Sequence, residues 1–396
     1  MNYILFDDNI IRTSLLPLTF LRPVADIRIG ILTIREKWEN MLKAKTSSLT
    51  ESYLARKFPL VTENDNVLIN GSICPTEEIV KAILTLKPDQ TIVHGDTIIA
   101  LHVKAEELNR LSETTTEGIE EITITGPVLK IGHTWDLFSK NESAIQDDFT
   151  LLTRNRKSEK LSTSNQLIGN GGIFVEKGAT VECAVLNTTK GPIYIGTNAE
   201  IMEGTLIRGP VSIGDHAIVK MAGKIYGPTT IGPYCKIGGE VNNSIFFGYS
   251  NKAHDGFVGQ SVIAEWCNIG ADTNTSNLKN TYDSVRLWSY GKQTFVNTHL
   301  QFCGLIMGDH SKCGINTMFN TGTVVGVNAN IFGPGFQRNF IPSFTWGGTA
   351  GHSNYDVRKA IEVAEEVYKR RGKVFDDIER ELLVSVHHQT LKNKFI

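Results

Sequence analysis

From Gly191 to Glu240 an aliphatic residue occupies every sixth position: Ile195, Ile201, Ile207, Ile213, Val219, Ile225, Ile231 and Ile237. Neither helical spacing near 3.6 nor strand spacing of 2 puts all of these on one side, whereas a coil with three short sides turns each of them inward. Ile195, Ile213 and Ile231 are each followed by glycine (Gly196, Gly214 and Gly232), so three sides of six make one coil, with the glycines expected at its tight corners. The rhythm returns at Met307, Cys313, Phe319, Val325 and Ile331, with Gly308, Gly314 and Gly326 beside it, and Ile263 and Ile269 keep it in between. The pattern predicts a solenoid of roughly eight or nine coils between about residues 167 and 335.

The first part of the chain follows another pattern. Residues 3–6 are an apolar run ending at Asp7 and Asp8, which suits a buried first strand. Ile27, Ile31, Ile34, Trp38 and Leu42 recur at helical spacing, with Arg28, Arg35, Glu36 and Lys37 on the other face. Two β-branched runs, 67–71 and 91–103, flank the helix candidate PTEEIVKAILTL, and this alternation argues for an α/β domain with a largely parallel sheet. Residues 133–155 read as a helical connector, and the polar stretch 157–165 as a boundary. Beyond the coils, Ser353 or Asn354 caps a helix from Tyr355 to about Arg371, and a second spans roughly 375–390; the pair is expected to cover the solenoid's open end. The expected domains are thus 1–156 (α/β), 157–166 (linker), 167–352 (solenoid) and 353–396 (helices).

Composition narrows the function. A net charge of −2 gives no electrostatic case for nucleic acid or an acidic membrane. The six cysteines contain no CxxC pair and read as reduced thiols. The N-terminus lacks the pattern of a signal peptide and no run reaches eighteen apolar residues, so the expectation is a cytoplasmic protein.

The hexad pattern resembles the hexapeptide-repeat, left-handed parallel β-helix of acyltransferases and of some sugar-nucleotide enzymes; the handedness comes from the resemblance. In the first domain PLT, RP and a later NG at a strand end resemble a nucleoside-diphosphate-sugar pyrophosphorylase domain. That domain followed by a β-helix is the layout of the bifunctional N-acetylglucosamine-1-phosphate uridyltransferase/glucosamine-1-phosphate acetyltransferase family. The family's phosphate loop GxGTRxxP would end at Pro17, but its glycines are absent and Ser14 stands at its arginine. Val24 replaces a lysine, and Ser72 replaces the metal-binding aspartate. In their place Arg12, Arg22 and Arg28 are candidates to hold phosphate, and Asp7, Asp8 or Asp96 to hold Mg2+, with solvated loop charges as the competing reading.

From Asn251 the repeat is distorted, reading NKAHDGFVGQSVIAEWCNIGADTNTSN. This segment is similar to the family's KAGHxxYxG, NIGAGT and CNYDG turn. The resemblance makes His254 the base that takes a proton from an amino sugar, with Asn268 orienting the amine or the base and the Ala271 amide as oxyanion donor. Asn277 falls on the asparagine of the turn. Lys224 and Glu240 fall on residues that handle the sugar phosphate, with Lys252 aiding. Departures are Phe257, Leu278, Asn242 and Asp272, and they bear on the acceptor's identity more than on the reaction. The segment 278–299 is an excursion whose Tyr282, Trp288 and Tyr290 either stack on the adenine or cover the pantetheine arm of acetyl-CoA, or pack against a neighbouring subunit, and Arg338 is the candidate for a CoA phosphate.

The implied function is acetyl-CoA-dependent N-acetylation of an amino-sugar phosphate, glucosamine 1-phosphate by resemblance, joined to uridylyl transfer in a homotrimer with no nucleic-acid or membrane partner. Three alternatives stand beside it. The first is a thymidylyl- or adenylyltransferase with a regulatory β-helix, and the second a non-catalytic scaffold. The third is a zinc hydratase using His254, His310 and a third ligand.

Overall fold

The computed structural model describes residues 1–108 and 120–391. Residues 392–396 of the expected C-terminal helical segment lie outside the described residues. The chain forms two compact units, one of residues 1–15, 22–27 and 32–132, the other of residues 16–21, 28–31 and everything from His133 onward.

The first unit is a six-stranded sheet with helices. Its strands are β1 (Asn2–Phe6), β2 (Thr46–Leu49), β3 (Asp65–Asn70), β4 (Gln90–His94), β5 (Thr97–Lys104) and β6 (Glu120–Thr123), in the order β2-β1-β3-β5-β4-β6. Strands β2, β1 and β3 are parallel, but β5 runs antiparallel to both β3 and β4, so the sheet is mixed. The run 91–103 that reads as one strand is two. Gly95 with φ +55° and the exposed Asp96 turn the chain between them.

Helix α1 (Asn9–Ser14) is capped by Asp8, whose carboxylate accepts from the Ile10 and Ile11 amides. The helical spacing from Ile27 yields a helix only from Ile34: α2 is Ile34–Leu42, opened by a Thr33/Glu36 capping box. Gly30, at φ +73°, breaks the pattern before it. Trp38 is fully buried and its indole donates to the Ile73 carbonyl at 2.8 Å. Helix α3 (Glu77–Leu84) follows where the sequence predicts.

The second unit is a three-faced parallel β-helix. All eight hexad residues from Ile195 to Ile237 are buried in one continuous apolar core that runs on through Ile269, Met307, Cys313 and Ile331. One face has six strands, from Gln166–Ile168 to Phe257–Gly259; the second has nine, from Ile173–Val175 to Phe340–Ile341. The third also has nine parallel strands, ending at Thr345–Gly348, and Gly351–Asn354 pairs antiparallel with that last strand and closes its edge. The coil after Ile231 is short, since Thr230 pairs with Ile245 instead of a residue eighteen further on.

The glycines that mark the repeat serve close stacking of coils. A Cβ on Gly214 would lie 2.7 Å from Pro233 N, and one on Gly232 would lie 1.9 Å from the Phe247 carbonyl oxygen. The left-handed corner falls two residues later and is taken by side chains: Asn198, His216, Tyr234, Tyr249, Trp266 and His310 all have φ between 54° and 62°. The rings of His216, Tyr234, Tyr249 and Trp266 stack along one corner, with centroids 4.6 Å apart for His216–Tyr234, 4.9 Å for Tyr234–Tyr249 and 4.1 Å for Tyr249–Trp266.

Helix α4 (Asn141–Thr153) docks on the second face, where the Asn141 side chain donates to the Pro228 carbonyl and the Thr230 hydroxyl. The C-terminal helices, α5 (Val357–Lys369, capped by Asp356) and α6 (Asp377–Leu391), pack against the coils, His387 of α6 lying edge-on to Phe344 at 4.8 Å. Tyr368 stacks on Trp266 at 4.0 Å, and Lys373 sits 5.9 Å from the Tyr234 and Tyr249 ring centres. The excursion 278–299 contains a hairpin of Arg286–Ser289 with Thr294–Asn297. Among the described residues no helix is long and apolar enough to cross a membrane.

Candidate functional site

The segment that distorts the repeat crosses the corner from the third face to the first. Asn251 and Lys252 form the third-face strand, and Phe257 opens the next strand of the first face, beside Glu240. Between them His254 and Asp255 stand exposed, and Gly256 has φ +109°. A Cβ there would lie 2.2 Å from the Thr273 carbonyl oxygen, so glycine is required both by conformation and by space.

A cavity of about 290 Å³ opens at this corner, lined by Lys224, Glu240, Asp255, Phe257, Asp272 and Asn274 among others. Asn274 builds its wall: its Oδ1 accepts from the Phe257 amide at 2.8 Å and its Nδ2 donates to the Asp272 carbonyl at 3.0 Å. Lys224 and Glu240, paired in the sequence analysis as handlers of a sugar phosphate, face each other with Nζ and Oε2 3.8 Å apart. Tyr226 donates to the other Glu240 oxygen at 2.7 Å, and burial together with this bond pushes the phenol up to about 12. Three carboxylates against one ammonium make the cavity acidic. A second cavity of about 430 Å³ lies on the first face, lined by Ile168, Val185, Leu206, Arg208 and Tyr226, and it also reaches Lys224 and Glu240.

The other site candidates divide. Ala271 sits on the neighbouring coil at the same corner, where its carbonyl accepts from the Asn316 amide at 2.8 Å and the next residue, Asp272, donates to the Asp255 carbonyl. Asn268 is exposed on the third face, and its Oδ1 accepts from the Asn251 side-chain Nδ2 at 3.4 Å. Asn277 is engaged through its Nδ2, which donates to Gln260, while its carbonyl accepts from Cys303 N at 2.9 Å.

Lys252 is a correction. It occupies an inward position of the hexad between Ile237 and Ile269, is 1% exposed, and donates to the His254 carbonyl. Burial pushes its ammonium down to about 8, partly opposed by Asp255, Cys313 and Asp272. It braces the backbone of His254 and is not extended toward a phosphate.

Arg338 is exposed on the last coils, and its charge adds to burial in lowering the pKa of His352. The excursion's aromatics pack on protein. Trp288 stacks on Phe340 at 4.4 Å, and the half-buried Tyr290 lies edge-on to Phe20 at 5.5 Å, while Tyr282 is exposed.

In the first unit Arg12 and Arg22 are both buried. The Arg12 guanidinium pairs with Asp7 at 2.8 Å, donates to the Arg22 carbonyl at 3.1 Å, and reaches the Tyr53 hydroxyl at 2.9 Å. Asp7 also accepts from the Val24 amide and the Thr50 hydroxyl, so both its oxygens are engaged; burial raises its pKa against the pull of Arg12. Arg28 belongs to the second unit, donating to the Phe247 carbonyl at 3.0 Å. Among the described residues no group of three His, Cys, Asp or Glu side chains is placed to hold a metal. The three-ligand zinc site with His254 and His310 is therefore not assembled among the described residues.

Sequence reasoning did not reach Asp255, Asn274 and Arg371. Asp255 adjoins His254 and Asn274 follows the NIGA match, so the motif marked their neighbourhood. Arg371, whose guanidinium donates to Asn251 Oδ1 at 2.8 Å, lies 120 residues away and carried no local signal.

Residues 3–157 match the family model described as sugar nucleotidyl transferase. The chain is 37% identical over 145 residues to the bifunctional sugar-1-phosphate nucleotidylyltransferase/acetyltransferase of Sulfurisphaera tokodaii, a match covering 36% of each chain. It is 27% identical over 268 residues to the bifunctional protein GlmU of Methanococcus vannielii, covering 67% of this chain and 55% of that one. The chain thus spans little more than half the length of these relatives at most. Among solved structures, the polySia-specific acetyltransferase NeuO is 15% identical with a TM-score of 0.28, covering 53% of this chain and 99% of that one. Residues 3–157 therefore match the sugar nucleotidyl transferase family, in a chain similar in sequence to bifunctional sugar-1-phosphate nucleotidylyltransferase/acetyltransferases.

Proposed function

We propose that the β-helix half is an acetyl-CoA-dependent N-acetyltransferase for an amino-sugar phosphate, with glucosamine 1-phosphate as the acceptor and His254 as the base. The observation that carries this reading is the acidic cavity immediately beside the exposed His254, lined by Asp255 and Gly256 that follow it in the chain. Glu240, Asp255 and Asp272 favour a cationic ammonium there, and imidazole is the side chain suited to relieve that ammonium of a proton at neutral pH. His254 relieves the ammonium of one proton, which passes to solvent; the free amine attacks the thioester carbon, His254 takes the second proton from nitrogen, and the C–S bond breaks as that proton passes to the departing thiolate. Asn268 and the Ala271 amide serve this step as polar donors near the corner, and Asn277 shapes the adjoining turn. Arg338 is retained as a contact for a CoA phosphate.

The N-terminal half is proposed to transfer a nucleotidyl group, uridylyl by the same resemblance, so that both halves together supply UDP-N-acetylglucosamine in the cytoplasm. A Mg2+ ion would arrive with the nucleoside triphosphate. Since Asp7 is fully engaged, no step is routed through it. Arg22 and Arg12 support this half by holding the loop around Asp7. A homotrimer is proposed through the first face, where Leu167 and Leu206 are 55% and 49% exposed.

The test incubates wild type and His254→Ala with acetyl-CoA and a panel of amino-sugar phosphates while free thiol is followed. Thiol release by wild type that is lost in the variant is expected; equal rates would remove His254 from the chemistry. A second reading, nucleotidyl transfer alone, is favoured by the family match being confined to residues 3–157. Pyrophosphate release from a nucleoside triphosphate with no acetyl transfer to any amine would select it.

A further inference from the structure

The cavity beside His254 is acidic, and the cations of this region gather on the opposite side of the same corner, on the third face. Lys236 lies in register with Asn251 on the next coil. Lys220 lies on the preceding coil, its Cβ 3.1 Å from where a Cβ on Gly238, two residues beyond Lys236, would be. From the other side comes the end of α5, where Arg370 and Arg371 follow Lys369, and Arg371 donates across to Asn251 Oδ1 at 2.8 Å. Burial and the charges of Arg371, Lys220 and Arg370 all push the Lys236 ammonium downward.

Basic residues at a helix C-terminus are ordinary, because they face the negative end of the helix dipole. Lys220 and Lys236 have no such reason, since they belong to the solenoid. Bringing four like charges together costs stability, and the cost is relieved by an anion. The polarity of the neighbouring amides is also fixed. A guanidinium can only donate, so Asn251 must turn its oxygen to Arg371 and its nitrogen to Asn268 Oδ1, which leaves the Asn268 NH2 pointing outward as a donor.

We infer that Lys220, Lys236, Arg370 and Arg371, with the Asn268 amide beside them, form a binding site for a phosphate group of one of the two substrates. The inference rests on the acetyltransferase reading for the identity of those substrates, but the site itself does not depend on turnover. It places the phosphate on the third face and the ammonium in the cavity of the first, with the segment carrying His254 crossing the corner between them. Two sources share the chemistry, the phosphates of CoA and the phosphate of the acceptor sugar.

Binding by isothermal titration calorimetry to the full chain tests this, using inorganic pyrophosphate, CoA, glucosamine 1-phosphate and glucosamine as separate probes. Wild type is compared with Lys236→Met, Arg371→Met and Arg371→Lys. The expected result is a tenfold or greater loss of affinity in the two methionine variants for pyrophosphate and for either CoA or glucosamine 1-phosphate, the affected one naming the source. Glucosamine affinity should not change, and Arg371→Lys should recover part of the loss. Thermal melting in phosphate-free buffer should show Lys236→Met at least as stable as wild type, which excludes misfolding as the cause, and pyrophosphate should stabilise wild type more than the variant. Unchanged affinity for all the phosphate probes in both methionine variants, or no pyrophosphate binding by wild type, overturns the site. If wild type binds but transfers no acetyl group to any amine, the acetyltransferase reading fails and the anion site stands.

Discussion

Lys252 donates from inside the prism to the carbonyl of His254, so an interior ammonium fixes the backbone of the residue proposed as the base. An aliphatic side chain at this inward position would satisfy the core and leave that carbonyl without its donor. In Lys252→Met, kcat for acetyl transfer is expected to fall about tenfold with a smaller change in KM. Steady-state kinetics with both substrates varied check this, and an unchanged kcat would reduce Lys252 to a tolerated core residue.

The same lysine sets a pH signature. Burial holds its pKa near 8, below the ordinary value of 10.5, so the unfolded chain binds more protons between these values. Stability therefore rises with pH across that window as the cost of burying the charge is removed. The melting temperature of wild type relative to Lys252→Met should climb from pH 8 to pH 10. A constant difference would show that the ammonium is not buried in solution.

His254→Gln keeps a polar side chain without a base. Acetyl transfer should fall by about 10²- to 10⁴-fold, while pyrophosphate release by the N-terminal half stays at the wild-type level. Measuring both activities on one preparation separates a lost base from a damaged fold.

Gly232 and Gly372 separate two reasons for glycine. A Cβ on Gly232 would collide with the Phe247 carbonyl oxygen on the next coil, whereas Gly372 has φ +64° and nothing within 4 Å of its would-be Cβ. Gly232→Ala is expected to cost more than about 3 kcal/mol, and Gly372→Ala only about 1–2 kcal/mol. Urea denaturation of the two variants decides it, and equal costs would mean that the coils can spread.

Arg12→Met leaves the Asp7 carboxylate buried without its cation and should destabilise the first unit by about 3–5 kcal/mol. The double variant with Asp7→Asn should recover part of that loss. Additive losses would show that the 2.8 Å pair is not coupled in energy.

The solenoid was legible in the sequence because its core repeats. Each of the eight aliphatics from Ile195 to Ile237 faces inward, and one mechanism, burial in a three-sided coil, accounts for their period. The corners were less legible, since glycine suggested a conformational need where the structure shows a steric one, and the left-handed positions carry Tyr234, Tyr249 and Trp266. Lys252 was misplaced because a charged residue in a distorted hexad reads as surface, and its interior position shows only in the register with Ile237. The helix expected from Ile27 failed where Gly30 overrides periodicity. Contacts such as Arg371 with Asn251 depend on how α5 lies along the coils, which no local pattern encodes.

A three-sided coil also makes sequence length an angular variable. Deleting eighteen residues from the regular part would shorten the prism by one storey and keep every downstream side chain on its own wall. Deleting six would turn everything beyond the cut by a third of a revolution, carrying His254 away from the wall that holds Lys224 and Glu240. Insertions and deletions in this molecule are thus rotations as well as changes of length, and only whole revolutions leave its chemistry aligned.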